Sequence, residues 1–108
     1  MDDVVGRCDR KVEKGKLLRI SVTLRSSGGV LVLTGVNVFG DFFMHPEEAI
    51  EGLEEAILRS GMDLEERQDE VSSYLSEGGI ELFGASPADI ALAVQGAIED
   101  GLLKARSG

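Results

Sequence analysis

The chain has one cysteine (Cys8), one histidine (His45), two prolines and no tryptophan. A lone cysteine excludes an internal disulfide framework and any four-thiolate metal site. A lone histidine excludes a multi-histidine metal site. No run of about 18 apolar residues occurs, so no membrane-spanning helix is expected. Met1-Asp2-Asp3 is acidic and opens no apolar stretch, which is unlike a secretory leader. A cytoplasmic protein is the expectation. No glycine-rich loop runs into a Lys-Ser or Lys-Thr pair, and no nucleophile elbow is present.

Basic charge is scarce beyond residue 40. Residues 1–40 hold seven Lys/Arg against four Asp/Glu, whereas residues 41–108 hold four against sixteen, within a net charge of −9. The acidic portion disfavours nucleic-acid or anionic-membrane binding. The basic portion suits a phosphate or an acidic partner, or simply a strand edge that lysines keep from aggregating.

What remains is an ordinary globular composition. The 108 residues are 43% hydrophobic and 29% charged, enough for one domain with one core. Residues 1–13 are polar and mixed in charge and are expected to form an arm ahead of a single domain over 14–108. From residue 17 the pattern changes: Leu18, Ile20, Val22 and Leu24 alternate with Arg19, Ser21, Thr23 and Arg25, the signature of a half-buried strand. Ser26-Ser27-Gly28-Gly29 supplies a turn. A second strand is predicted over 30–39, with Gly35 marking a bulge. Gly40 breaks it, and residues 41–44 resume an extended run.

Three helices are predicted next. The first opens at His45-Pro46-Glu47-Glu48, with proline at the first helical position and glutamates in the first turn. Ala49, Ile50, Leu53, Ala56 and Ile57 form its apolar face, and Gly61 ends it. Asp63, capping with Glu66, starts the second, whose buried stripe is Leu64, Val71, Tyr74 and Leu75. After Gly78-Gly79, residues 80–83 are strand-like. Ser86-Pro87-Ala88-Asp89 opens the third helix, which runs to about Lys104 with Ile90, Val94, Ala97, Ile98 and Leu102 inward. The fold class is α+β: an antiparallel two- to three-stranded sheet, hairpin first, covered on one face by three helices.

No self-sufficient active site emerges, and no catalytic or metal-ligating set is assigned. His45 has the titration range of a general acid or base, but a residue capping or packing beside the first helix is the simpler reading. Cys8 lies among Arg7, Arg10 and Lys11, and cationic neighbours lower a thiol's pKa, yet it has no Cys or His partner nearby in sequence. The unusual cluster is Asp41-Phe42-Phe43. Adjacent strand residues point to opposite faces, so one ring faces inward and the other needs cover from a bent strand or a partner protein.

The segments Gly15-Lys16-Leu17-Leu18-Arg19-Ile20, Gly40-Asp41-Phe42-Phe43-Met44-His45-Pro46-Glu47-Glu48 and Phe83-Gly84-Ala85-Ser86-Pro87-Ala88-Asp89-Ile90 together resemble the accessory C-terminal domain of lipoate–protein ligases. That domain also occurs as a separate small subunit. The resemblance covers roughly residues 14–104. It implies a partner, the large catalytic subunit, which binds ATP, Mg²⁺ and lipoate; lipoyl-acceptor proteins would be met only indirectly. It implies that the small subunit is required for activation of lipoate to lipoyl-AMP and forms no covalent intermediate itself. The same fold resembles iron–sulfur cluster scaffold domains, but those need several cysteines. On this reading Lys14, Lys16 and Arg19 are candidates to face the nucleotide or the partner. Asp41, Phe42, Phe43 and His45 are candidates for the subunit interface. The competing class is a non-catalytic binding or regulatory module unrelated to lipoylation.

Overall fold

The computed structural model describes residues 3–12, 16–61 and 63–107. Strands β1 (Asp3–Lys11), β2 (Leu17–Ser27) and β3 (Val30–Gly40) form an antiparallel sheet in that spatial order. A two-stranded sheet pairs β4 (Phe43–His45) with β5 (Glu81–Phe83). Helices α1 (Ala49–Arg59), α2 (Leu64–Glu77) and α3 (Pro87–Ser107) complete the α+β fold.

The alternation in β2 sets the layers. Leu18, Ile20, Val22 and Leu24 are buried on one sheet face, joined by Val36 and Val38 of β3. Helix α3 packs over β1 and β2, α1 packs on β3, and α2 lies behind both helices. Leu53, Ile57, Val71, Ile90 and Val94 fill the space between these layers. Each fully buried Val, Leu or Ile stabilises the fold by about 1.5–3 kcal/mol relative to leaving it exposed. Between Thr23 and Leu24 the β2–β3 register shifts, so Thr34 is the extra residue of a bulge next to Gly35.

Residues 3–11 are not an arm. They pair along their whole length with β2, from Asp3 opposite Arg25 to Lys11 opposite Leu17. The inward positions of β1 are Val4, Gly6, Cys8 and Arg10, a set that does not look apolar. What seats this strand is closeness, not side-chain bulk. A Cβ at Gly6 would collide with the Ala97 carbonyl oxygen and the Gly101 nitrogen, and a Cβ at Gly96 would lie 2.8 Å from the Cys8 sulfur. Glycines on both elements therefore let α3 lie directly on β1. Cys8 is half-buried in this seam, and burial pushes its thiol pKa up despite Arg10 nearby. The basic neighbourhood does not activate it.

Helix α3 also closes the outer edge of β1. The Arg7 backbone N–H donates to Asp100 Oδ2 (2.9 Å), Lys104 Nζ donates to the Val5 carbonyl (3.2 Å), and Asp100 and Lys104 pair at 3.0 Å. Two side chains thus occupy groups that an incoming strand would use.

Helix starts follow their caps, with one correction. Ser86 and Asp89 exchange bonds: the Ser86 N–H and hydroxyl donate to Asp89 Oδ2, and the Asp89 N–H donates to Ser86 Oγ. Asp63 accepts from the Glu66 N–H at 3.1 Å. The first helix begins at Ala49, later than the Pro46 start expected. Residues 43–45 are drawn into β4 by pairing with β5, and 46–48 form a turn in which the Ala49 N–H bonds the Pro46 carbonyl.

Arg67 of α2 is fully buried, a placement with no signal in the sequence. Its guanidinium donates to Gln95 Oε1 (3.2 Å) and the Gly61 carbonyl (3.4 Å), tying α2 to α3 and to the end of α1. Burial lowers its pKa, with Asp63 opposing.

Two expectations follow. Gly6→Val should destabilise the fold by about 3 kcal/mol or more, read by urea denaturation, because backbone would have to move on both sides; a change under about 1 kcal/mol would contradict the seam. The Arg7 N–H, then Lys104, hold the Asp100 carboxyl below its usual 3.8. A lowered folded-state pKa means stability present above the unfolded value and lost as pH falls through the folded one. Asp100→Asn should therefore lose less stability than the parent chain on acidification from about pH 5 to about pH 3; equal slopes would show that the edge clasp contributes nothing.

Candidate functional site

Three segments distant in sequence meet at one corner of the sheet. The Asp41 N–H donates to the Leu17 carbonyl (2.7 Å), and the Leu17 N–H donates to Asp41 Oδ2 (3.2 Å). Gly40 makes this possible. Its φ is +143°, and a Cβ there would collide with the Leu17 carbonyl oxygen. Gly84 closes the corner from the third segment: a Cβ there would sit 3.0 Å from the Asp41 carbonyl oxygen and 3.4 Å from the Lys16 side chain.

Around this corner lie all four phenylalanines of the chain. Phe42 is half-buried and packs on the core. The other three are exposed: Phe43 by 69%, Phe39 by 53% and Phe83 by 52%. Phe43 and Phe83 are register partners across the small sheet, whereas Met44 and Leu82, one position on, face the core. A shallow depression of about 250 Å³ joins Phe39 to Phe42 and Phe43 above Val38 and Met44. A second, of about 460 Å³, is lined by Lys16, Gly40, Asp41, Phe42 and Phe43. A third, of about 310 Å³, extends from Phe39 along the outer sheet face past Arg19 to Arg7 and Asp9. The result is a continuous aromatic surface with cations at its margins.

The residues singled out from sequence fall here to different degrees. Lys16, Asp41, Phe42 and Phe43 line one depression. Arg19 is opposite Phe39 in the β2–β3 register and lies 3.9 Å from Asp9, so it borders the same surface from the open sheet face. His45 is exposed on β4, opposite Glu81 and two residues along from Phe43. Lys14 lies outside the described residues. Asp41 turns its carboxylate to the Leu17 N–H and so serves the corner's shape. Sequence reading missed Phe39 and Phe83. The signal available was that an apolar residue at 39 falls out of phase with Val36 and Val38, on the face opposite theirs.

Among the described residues, no group of three or more His, Cys, Asp or Glu is placed to hold a metal. Among the same residues, no helix is long and apolar enough to cross a membrane.

No protein-family model matches the chain, and no curated protein does. A solved structure does. The chain is similar, at 26% identity and a TM-score of 0.65, to a chain from the structural study of an archaeal lipoylation system, a bipartite lipoate protein ligase and its E2 lipoyl domain from Thermoplasma acidophilum. The match spans 86% of this chain and 97% of that one. This chain resembles a component of a lipoylation system. The likeness extends over nearly the whole of that component, so the two are alike as entire folds.

The exposure pattern makes a sharp expectation. Phe43→Ala and Phe83→Ala should each shift folding stability by no more than about 0.5 kcal/mol, whereas Phe42→Ala should cost about 2 kcal/mol or more. Thermal and urea melts of the three variants decide it; equal losses at Phe42 and Phe43 would mean that the corner is core.

Proposed function

We propose that this chain is the accessory subunit of a two-component lipoate–protein ligase. It acts beside a larger catalytic subunit, in the ATP-dependent activation of lipoate to lipoyl-AMP. The observation that carries the reading is the near-complete structural match to a component of a bipartite lipoylation system. Supporting it, the three sequence segments that resemble the ligase accessory domain converge on one corner, where Lys16, Gly40, Phe43 and Gly84 meet.

In this reading ATP, Mg²⁺ and lipoate bind the larger subunit. Phe39, Phe43 and Phe83 dock against it as aromatic anchors, with Asp41 shaping the corner and His45 at its rim. Lys16 and Arg19 present positive charge toward the nucleotide or an acidic patch beside it. Adenylation spreads negative charge over a pentavalent phosphorus, and positioned cations stabilise such charge.

The acceptor domain of a lipoylation system must instead offer a lysine for amide formation. The β2–β3 turn of this chain, Gly28-Gly29, has no lysine, whereas the sequence between β1 and β2 includes Lys14 and Lys16, so mass spectrometry of this chain after the reaction separates the two roles.

The test is reconstitution with the organism's own ligase subunit. ATP, Mg²⁺ and lipoate should give pyrophosphate and lipoyl-AMP only when both chains are present. Lys16→Ala should lower that rate about tenfold or more, while transfer from preformed lipoyl-AMP stays unchanged. Pyrophosphate release indifferent to this chain would overturn the proposal. A lipoyl group found on this chain by mass spectrometry would assign it as acceptor instead.

A further inference from the structure

The two edges of the main sheet are treated differently. On β1, Asp100 and Lys104 occupy an outward N–H and an outward carbonyl. On β3, the outward Val38 N–H donates to Glu54 Oε2 at 2.9 Å. By the alternation of an antiparallel ladder, Val36 turns its N–H and carbonyl to the same side as Val38. From Val30 to Val36 no strand lies on that side among the described residues. The strand Val30–Gly40 is eleven residues long and holds no Lys, Arg, Asp, Glu or Pro. Val30 is 63% exposed and Val32 46%. Proteins ordinarily guard such an edge with charge, proline or a covering element; here Glu54 reaches the edge at Val38, and residues 30–36 themselves carry neither charge nor proline.

We propose that the β3 edge over residues 30–36 receives an extended segment of the larger ligase subunit as a fourth strand of the main sheet. This inference rests on the proposed function for the identity of the partner. The same strand runs on to Phe39 and Gly40, which line the aromatic surface, so a partner docked there lies along β3. Main-chain hydrogen bonds supply the affinity in strand addition, and alternate side chains supply the choice of partner.

Charge selects the occupant. Helix α1 packs on β3 and sends Glu54 to its edge, and Glu47, Glu48, Glu51 and Glu55 accompany it against the single cation Arg59. A second copy of this chain would bring the same acidic helix and another −9 of net charge, which opposes pairing of β3 with itself. The fitting segment is β-branched, uncharged where it meets residues 30–36, and flanked by Lys or Arg where it passes α1.

Hydrogen–deuterium exchange of the full chain, alone and with the ligase subunit, tests this. Amides within 30–36 should exchange about tenfold more slowly in the complex. Val32→Lys should weaken the complex about tenfold or more with the fold intact, and Val32→Thr should leave it near the parent. A complex that forms with 30–36 unprotected overturns the added strand but leaves the proposed function standing. No complex overturns both. Protection that appears in the chain alone and grows with its concentration assigns the edge to a second copy and also overturns the proposal.

Discussion

A pair of hydrogen bonds between Leu17 and Asp41 organises the working end of this molecule. They form because Gly40 carries no side chain where the Leu17 carbonyl passes. Once they form, the chain leaving β3 must turn back over the start of β2. Phe42 is then directed to the core and Phe43 to solvent, and β4 is laid where β5 can pair with it. Gly84 must in turn be small, because Asp41 and Phe42 occupy the space a side chain would need. The exposed aromatic surface is thus a consequence of backbone closeness at two glycines.

The economy of the fold supports a docking role. Most of its buried side chains are aliphatic and fill the core between the sheet and the helices. Three of its four phenylalanines, which are costly to leave in water, remain exposed at one corner. The cations Lys16, Arg19 and Arg7 border that surface, whereas the helices carry most of the acidic excess. Such segregation orients a partner before contact. What the corner gathers is ring surface, a tightly turned backbone and charge.

Much of this was legible in the amino-acid sequence, and the exceptions have physical causes. The β2 alternation, the bulge beside Gly35, the Asp63 and Ser86 caps and the opposed directions of Phe42 and Phe43 are local properties, expressed within a few residues. Strand β1 was illegible because its inward residues include Gly6 and Arg10, and because its partners on α3, Asp100 and Lys104, lie more than ninety residues away. The delayed start of α1 reflects a tertiary pairing, β4 with β5, that overrode the local appeal of Pro46-Glu47-Glu48. Buried Arg67 was hidden for the same reason: Gln95 and Gly61 become its neighbours only after the helices assemble. At the corner, the role of Phe39 and Phe83 depended on knowing that residues 39, 43 and 83 share a surface.

The proposed docking sets the aromatic corner against a larger ligase subunit. Amide chemical-shift mapping of the ¹⁵N-labelled chain, titrated with the unlabelled subunit, addresses it directly. Perturbations centred on Phe39, Phe43 and Phe83, reaching Lys16 and Arg19, are the expected result. Perturbations confined to the exposed sides of α2 and α3, with those residues unmoved, would contradict it.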